Sequence, residues 1–165
     1  MRFWMVRLLA LVCLVGLASC STKFPMYNGP EVTKLEIHKT GRFLRVFHNR
    51  QLLKQYDVEL GFEALGHKQF EGDGKTPEGR YLIDRRNPNS AFHLSLGISY
   101  PNNRDKAFAA AHGRSPGGDI FIHGQPNSLI PRSADWTAGC IALTDKEMRQ
   151  LYAMVPNGTI VDIYP

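Results

Sequence analysis

The chain has 165 residues, a length that favours a single domain. Its 20 basic and 15 acidic residues give a formal net charge of +5. This charge is mild and forms no clustered basic stripe of the kind that nucleic-acid binders show, so the sequence gives no reason to expect a nucleic-acid partner.

The first segment of the chain is typical of a secretory signal. Arg2 and Arg7 form a positive flank, and Leu8–Ala18 is an almost unbroken apolar run of 11 residues. A membrane-spanning helix needs roughly 20 such residues, so this run is too short to span. A buried core helix is the alternative, but nothing polar gives the run an outward face. We therefore predict that residues 1–19 are a signal peptide.

The end of this segment, Leu17–Cys20, resembles the lipobox of bacterial lipoproteins. The resemblance implies cleavage just before Cys20 and lipidation of that residue, whose acyl chains would contribute roughly 0.8 kcal/mol per buried methylene. Residues 20–30 would then be a lipidated tether and residues 31–165 the folded domain. Ser21 provides no acidic retention signal, so the expected location is periplasm-facing and lipid-anchored, in the outer membrane if the organism has one.

The cysteines become informative after this processing. Cys13 lies inside the predicted signal and Cys20 would be blocked by lipid, so Cys140 remains as the lone thiol. An unpaired cysteine in an exported protein is a candidate reactive group, and one thiol cannot build a cysteine-type zinc site. The alternative is a buried cysteine that packs as a small hydrophobe.

Short alternating runs predict an antiparallel meander over residues 31–60. Leu35 and Ile37 alternate with polar neighbours, and Thr40-Gly41 and Asn49-Arg50 mark turns. The segment 72–79, which contains three glycines and a proline, predicts a shaped loop. Further short strands are expected at 80–83, 92–96 and 119–123, with a mostly irregular excursion over 100–118.

One helix is expected near the C-terminus. Thr144 followed by Glu147 fits a capping box, and the apolar residues after it fall on one helical face: Met148, Leu151, Tyr152 and Val155. Pro156-Asn157-Gly158 ends it, and a final strand is expected at 159–164. The predicted fold class is mainly β with one principal C-terminal helix.

Two residues with complementary chemistry flank one loop. His123 ends a predicted strand, and Cys140 follows after a loop over residues 125–138. Only the thiolate is a strong nucleophile, and a neighbouring imidazole can take the proton. Gly139 would let the backbone approach a substrate carbonyl, with the N–H groups of Gly139 and Cys140 as oxyanion donors. The alternative to a reactive pair is that His123 has only a structural role and that Cys140 packs as a small apolar side chain.

The order and spacing of these residues resemble a known signature. His123-Gly124, followed by Thr137–Ile141 with 17 positions from histidine to cysteine, looks like the motif of the YkuD-type L,D-transpeptidase family. The upstream Gly74–Tyr81 is similar to the family's Thr-Pro-x-Gly-x-Tyr/Phe segment. The resemblance extends from about Val32 to Tyr164.

The resemblance implies a mostly β catalytic domain that acts on peptidoglycan tetrapeptide stems. Cys140 would be the nucleophile, His123 the base, and the carbonyl of Gly124 the group that orients the imidazole. A thioester would form, the terminal D-alanine would leave, and an amine of another stem would be the acceptor. No metal or organic cofactor is implied, and carbapenem-type inhibitors are expected to acylate the thiol. The expected process is cell wall synthesis or remodelling, with an effect on cell shape.

The chain departs from the family motif at two positions. The histidine two residues before the cysteine is Ala138, and the arginine two residues after it is Ala142. These losses resemble a branch that includes hydrolases releasing wall-linked peptides or lipoproteins. Oxyanion or substrate contacts are then expected from other residues near the thiol: Gly139, Thr137, Trp136 and Arg132. Trp136 could equally be core packing.

Three functions therefore remain open from the sequence. The first is a transpeptidase, and the second is a peptidoglycan carboxypeptidase or amidase that uses water with the same Cys-His pair. The third is a non-catalytic wall-binding lipoprotein. The reactive pair argues against the third, whereas the sequence does not choose between amine and water as the acceptor.

Overall fold

The computed structural model describes residues 24–126 and 134–165. The predicted signal peptide, Cys20 and Arg132 therefore lie outside the described residues. The elements in chain order are β1 Lys34–His38, β2 Phe43–His48, β3 Gln51–Asp57, β4 Gly79–Asn87, β5 Ser95–Ile98, α1 Asn103–Ala111, β6 Phe121–His123, β7 Ile141–Ala142, α2 Asp145–Met154 and β8 Ile160–Tyr164. These strands form one eight-stranded sheet with the order β3-β2-β1-β8-β4-β5-β6-β7. No helix among the described residues is both long and apolar enough to cross a membrane.

The predicted meander is confirmed in one half of the sheet. β1 and β2 pair antiparallel, as do β2 and β3. Leu35 and Ile37 point into the core, opposite Val46 and Leu44 on β2. The last strand, β8, returns parallel to β1 and places Val161 beside Leu35. Every second residue of β1 is therefore buried, as the alternation of apolar and polar residues in the sequence predicts.

β4 joins this half of the sheet to the half that bears the thiol. Its first residues pair with β8, and the residues from Ile83 onward pair with β5. β6 adds antiparallel to β5, and the two-residue β7 adds parallel to β6. Because β6 and β7 are parallel, His123 pairs with Ala142, and Cys140, just before β7, lies beside Phe121 at the start of β6.

The C-terminal helix is confirmed. Thr144 caps α2, because its hydroxyl accepts from the N–H of Glu147 while the Glu147 carboxylate accepts from the N–H of Thr144. Met148 and Leu151 on its inner face are fully buried. The apolar stripe was therefore a sufficient signal for this helix.

The expected irregular excursion over 100–118 was wrong, because it contains α1. Asn102 caps this helix, and Asp105 completes a second capping box. The Pro-Asn-Asn run that suggested a loop is in fact the start of a helix. α1 has few apolar residues and buries only Asp105 and Ala109, so it lacks the apolar stripe by which helices are recognised.

A buried lysine fixes the loop that precedes β4. Lys39 is 2% exposed, and its Nζ donates to the carbonyl of Thr76 at 3.0 Å and to Glu78 Oε1 at 2.8 Å. An ammonium group in the interior requires such partners. The predicted loop over 72–79 is confirmed and is held in one conformation against the thiol-bearing turn.

Candidate functional site

The thiol of Cys140 lies in the turn that enters β7. The Phe121 N–H donates to Sγ at 3.4 Å, and the thiol donates to the carbonyl of Asp119 at 3.5 Å. Both partners belong to the segment that leads into β6. The sulfur is therefore held by main-chain groups of the neighbouring strand, and its proton is directed toward Asp119.

Three glycines let the backbone segments around this turn approach closely. Gly139 has a φ of +132°, and a Cβ there would lie 2.6 Å from the carbonyl oxygen of Lys75. A Cβ on Gly61 would lie 2.0 Å from the carbonyl oxygen of Gly74 and 2.9 Å from Gly139 Cα. The residue before the nucleophile must therefore be glycine for both conformational and steric reasons.

Thr137 closes the turn with its hydroxyl. Oγ1 donates to the carbonyl of Cys140 at 2.7 Å and accepts from the N–H of Gly139 at 3.2 Å. The main chain of Thr137 also pairs with the segment before the loop, because the N–H of Phe62 donates to its carbonyl. Thr137 therefore fixes the orientation of the Cys140 peptide.

His123 is buried, with 4% of its surface exposed. Its Nδ1 lies 2.7 Å from the carbonyl oxygen of Gly124. Because a carbonyl only accepts, this contact places the proton of the neutral ring on Nδ1 and leaves Nε2 with a lone pair. The carbonyl of His123 accepts from the N–H of Leu143, which fixes the strand end that bears the ring.

Two aromatic rings enclose the imidazole. The Phe92 ring centroid lies 4.5 Å from that of His123, and the Trp136 ring meets His123 edge-on at 5.7 Å. Trp136 is in turn anchored by its Nε1–H, which donates to the carboxylate of Glu59. Enclosure by Phe92 and Trp136 removes water from the ring and limits its rotation.

Cys140 lies where two clefts meet. The first cleft, of about 430 Å³, is lined by Phe92, Phe121 and Trp136 among others and also contains His123. We call it the aromatic cleft. The second, of about 270 Å³, is lined by glycines and by Phe62, Lys68 and Glu71, and we call it the polar cleft. Both clefts reach Cys140, Ala138 and Asp119, so a group on the sulfur could extend into either.

The polar cleft contains a buried cation. Lys68 is 3% exposed, and its Nζ donates to Asp73 Oδ1 at 2.8 Å and to the carbonyl of Phe70 at 3.0 Å. Burial raises the pKa of Asp73, but the hydrogen bonds from Lys68 and from three main-chain N–H groups outweigh it and bring this pKa below its usual range. Asp73 is therefore ionised at neutral pH.

Both members of the Cys-His pair are neutral at rest. Burial raises the pKa of the Cys140 thiol above its usual 9.0, and the Asp119 charge adds to this, while the Phe121 N–H and Lys68 act in the opposite direction. Burial lowers the pKa of His123 below 6.5, against the hydrogen bond to Gly124. The arrangement therefore favours a neutral imidazole that removes a thiol proton during attack over a preformed ion pair.

Alkylation of Cys140 by iodoacetamide tests this protonation state. We expect the rate to rise with pH through a midpoint above 9.0, because only the thiolate reacts rapidly. The His123→Ala variant should show a similar midpoint, since the neutral ring does not stabilise a thiolate. Reaction of the Cys140→Ala variant gives the background. A plateau already reached near pH 7, lost in His123→Ala, would instead indicate a resting ion pair.

The structure brings most of the sequence-predicted residues together. Cys140, His123, Thr137 and Trp136 line the aromatic cleft, while Gly124 and Gly139 act through main-chain contacts. Arg132 lies outside the described residues. Among residues 24–126 and 134–165, no group of three His, Cys, Asp or Glu side chains comes together as a metal-ligand set.

Sequence reasoning missed the wall of the aromatic cleft that the β4–β5 connection supplies, which includes Ser90, Phe92 and Ser95. Phe92 and Ser95 fell within a predicted strand, but its pairing with β6 was not deducible from the sequence. It also missed Glu59 as the partner of Trp136. No local motif marks these residues, since they meet His123 only through sheet topology.

Comparison with known proteins places this geometry in context. Residues 33–163 match the model of the YkuD family, which is described as the L,D-transpeptidase catalytic domain. YafK of Escherichia coli K12, named as a candidate L,D-transpeptidase, is 30% identical over 132 residues, which cover 74% of this chain and 48% of YafK. YkuD of Bacillus licheniformis, named likewise, is 27% identical over 138 residues, or 80% and 66% of the two chains. The chain thus spans about half the length of YafK.

Solved structures show the same fold. The helical cell shape determining protein Pgp2 from Campylobacter jejuni superposes with a TM-score of 0.64 at 27% identity, covering 87% of this chain and 51% of Pgp2. L,D-transpeptidase 1 of Mycobacterium tuberculosis superposes with a TM-score of 0.52 at 12% identity, covering 80% and 60% of the two chains. The latter likeness concerns the fold alone.

Proposed function

Because this chain belongs to the family of L,D-transpeptidase catalytic domains, we propose that it is a cysteine-dependent acyl transferase acting on peptidoglycan stem peptides. The observation that supports this most is the position of the Cys140 thiol at the junction of two clefts, one of which also contains the His123 imidazole oriented by Gly124. Transfer requires one site for the acyl group and one for the amine, and the two clefts offer both.

In the first half-reaction the thiol turns from the Asp119 carbonyl toward Nε2 of His123. The imidazole takes the proton while Sγ bonds to the carbonyl carbon of the stem residue. The N–H of Cys140 is our proposed donor to the oxyanion, since that of Gly139 donates to Thr137. The C–N bond then breaks, and the proton passes from His123 to the nitrogen of the departing D-alanine.

The two clefts suggest where each part of the substrate lies. The departing amine must be within reach of His123, which lines the aromatic cleft. The acyl part then extends into the polar cleft, whose lining includes the exposed carboxylate of Glu71. A diaminopimelate side chain ends in one ammonium and one carboxylate, and Glu71 would complement its ammonium.

In the second half-reaction an amine of another stem attacks the thioester. His123 takes a proton from that amine as the new C–N bond forms. The C–S bond then breaks, and the departing thiolate takes up the proton from His123. Water can replace the amine, which would give an L,D-carboxypeptidase or amidase. The small side chain of Ala138, exposed where the clefts meet, favours this second function, because it leaves room for a water molecule to reach the thioester. Ala142 is buried and provides no charged contact for either substrate.

The similarity to Pgp2, a cell shape determining protein by its description, supports a substrate in the cell wall and an influence on cell shape. We further propose that the chain acts at the cell envelope, anchored through lipid on Cys20 and facing the periplasm. Intact-mass analysis of the protein isolated from cells tests the anchor. A mature N-terminus other than Cys20, without acyl mass, would contradict it.

Product analysis tests the reaction. Purified protein is given a stem tetrapeptide with and without an amine acceptor, and products are identified by mass. We expect release of D-alanine together with cross-linked peptide, or with tripeptide if water is the acceptor, and neither with Cys140→Ala. A domain that binds sacculi but releases no D-alanine would be the non-catalytic wall-binding lipoprotein instead.

A further inference from the structure

Ser95 presents a hydroxyl to the aromatic cleft. The residue is 4% exposed and lines that cleft. Its side chain forms no hydrogen bond with any part of the chain that the structure describes, although the other cleft serine, Ser90, accepts from the N–H of Phe92 at 3.1 Å. Among the described residues, the buried side-chain polar atom that lacks a hydrogen-bond partner is Nε2 of His38, so the Ser95 hydroxyl is not sealed in the core. It is accessible from the cleft, where water or a ligand can complete its hydrogen bonding.

This hydroxyl is next to the proposed general base. Ser95 on β5 is the register partner of His123 on β6. Residues directly opposite in an antiparallel pair project to the same face, with Cβ atoms about 4.5–5.5 Å apart. The hydroxyl therefore faces the same substrate group as the imidazole, and Phe92 and Trp136 shield that region from water.

We infer that Ser95 is a positioning residue for the nitrogen that leaves or attacks at the Cys140 thioester, an inference that rests on the proposed function. The nitrogen of the departing D-alanine must receive its proton from His123 Nε2 while its own N–H points elsewhere. Ser95 Oγ accepts that N–H, so the lone pair turns to the imidazole. In the reverse direction, one N–H of the incoming amine donates to Ser95 and another to His123.

The step balances with these groups alone. The Sγ–C bond forms as the C–N bond breaks, and the thiol proton reaches the leaving nitrogen through His123. Ser95 neither gains nor loses a proton. Its contribution depends on the presence of an N–H on the leaving atom, and this dependence separates positioning from a structural role.

The test compares two donors that differ at this atom. One is the stem tetrapeptide with terminal D-alanine, and the other is the matched depsipeptide with terminal D-lactate, whose leaving oxygen has no N–H. We expect Ser95→Ala to lower kcat/KM for the amide about tenfold, the size of one neutral hydrogen bond, and to leave kcat/KM for the ester nearly unchanged. Ser95→Thr, which keeps the hydroxyl, should restore amide turnover.

Ser90→Ala is the matched control in the same cleft. Its hydroxyl is engaged by Phe92, so any effect should be equal for amide and ester. Equal losses in Ser95→Ala, or no loss for the amide, would overturn the positioning role. Absence of a thioester on the unmodified protein with either donor would overturn the proposed function itself, and with it this inference.

Discussion

Replacing Cys140 with alanine is expected to abolish D-alanine release, with a loss on the order of 10³-fold or more, because the covalent route is removed. His123→Ala should lower the rate by about 10²–10⁴-fold, the usual contribution of a general base. Both follow from the geometry at the junction of the clefts, where the thiol and the fixed imidazole line one cavity. Release of D-alanine from the tetrapeptide, measured against time, checks them.

Controls separate chemistry from folding. Far-ultraviolet circular dichroism and the unfolding midpoint should change little in Cys140→Ala, because the thiol forms only two weak main-chain contacts. His112→Ala, at an exposed position after α1, is the matched control for His123→Ala and should keep full activity. Appreciable turnover by Cys140→Ala would contradict the mechanism.

Replacing Gly61 with alanine is expected to have the largest effect on stability. The added Cβ would lie 2.0 Å from the carbonyl oxygen of Gly74 and 2.9 Å from Gly139 Cα. Three main-chain segments must then separate, which should lower the free energy of unfolding by about 1–3 kcal/mol. Because Gly139 precedes the nucleophile, alkylation of Cys140 should change as well.

Chemical denaturation measures this change. Gly118→Ala is the matched control, since a Cβ there would meet only Pro101 Cδ at an ordinary 3.8 Å, and the free energy of unfolding should remain nearly unchanged. A Gly61→Ala variant as stable as the parent chain would show that these segments do not need the close approach that the structure displays.

The parts of the fold that a local pattern specifies were predictable from the sequence. The capping box at Thr144, with the apolar stripe after it, predicted α2, and the alternation around Leu35 predicted the meander. α1 was missed because it has no apolar stripe, although Asn102 and Asp105 form a local capping box. Asp105 also accepts from Tyr81 at 3.1 Å and faces His67 at 3.3 Å, and such contacts between distant segments leave no period in the sequence.

In the site, too, residues within one local motif were predictable, whereas residues that distant segments bring together were not. The Cys140 and His123 motif lies within one loop and its flanking strands, so its order and spacing selected both residues as candidates through the family resemblance. The Gly124 carbonyl lies at the imidazole as expected. Ser95 reaches the site through the pairing of β5 with β6. Phe92 reaches it from the segment before β5, and Lys68 from the loop before β4. Arg132 remains a prediction.

The most direct test of the central claim is the mass of the protein quenched in acid during turnover of the stem tetrapeptide. We predict an increase equal to the tetrapeptide without its D-alanine, located on the peptide that contains Cys140 and removed by hydroxylamine, as a thioester would be. D-alanine release without any such adduct, or an adduct that persists in Cys140→Ala, would contradict a thioester on this thiol.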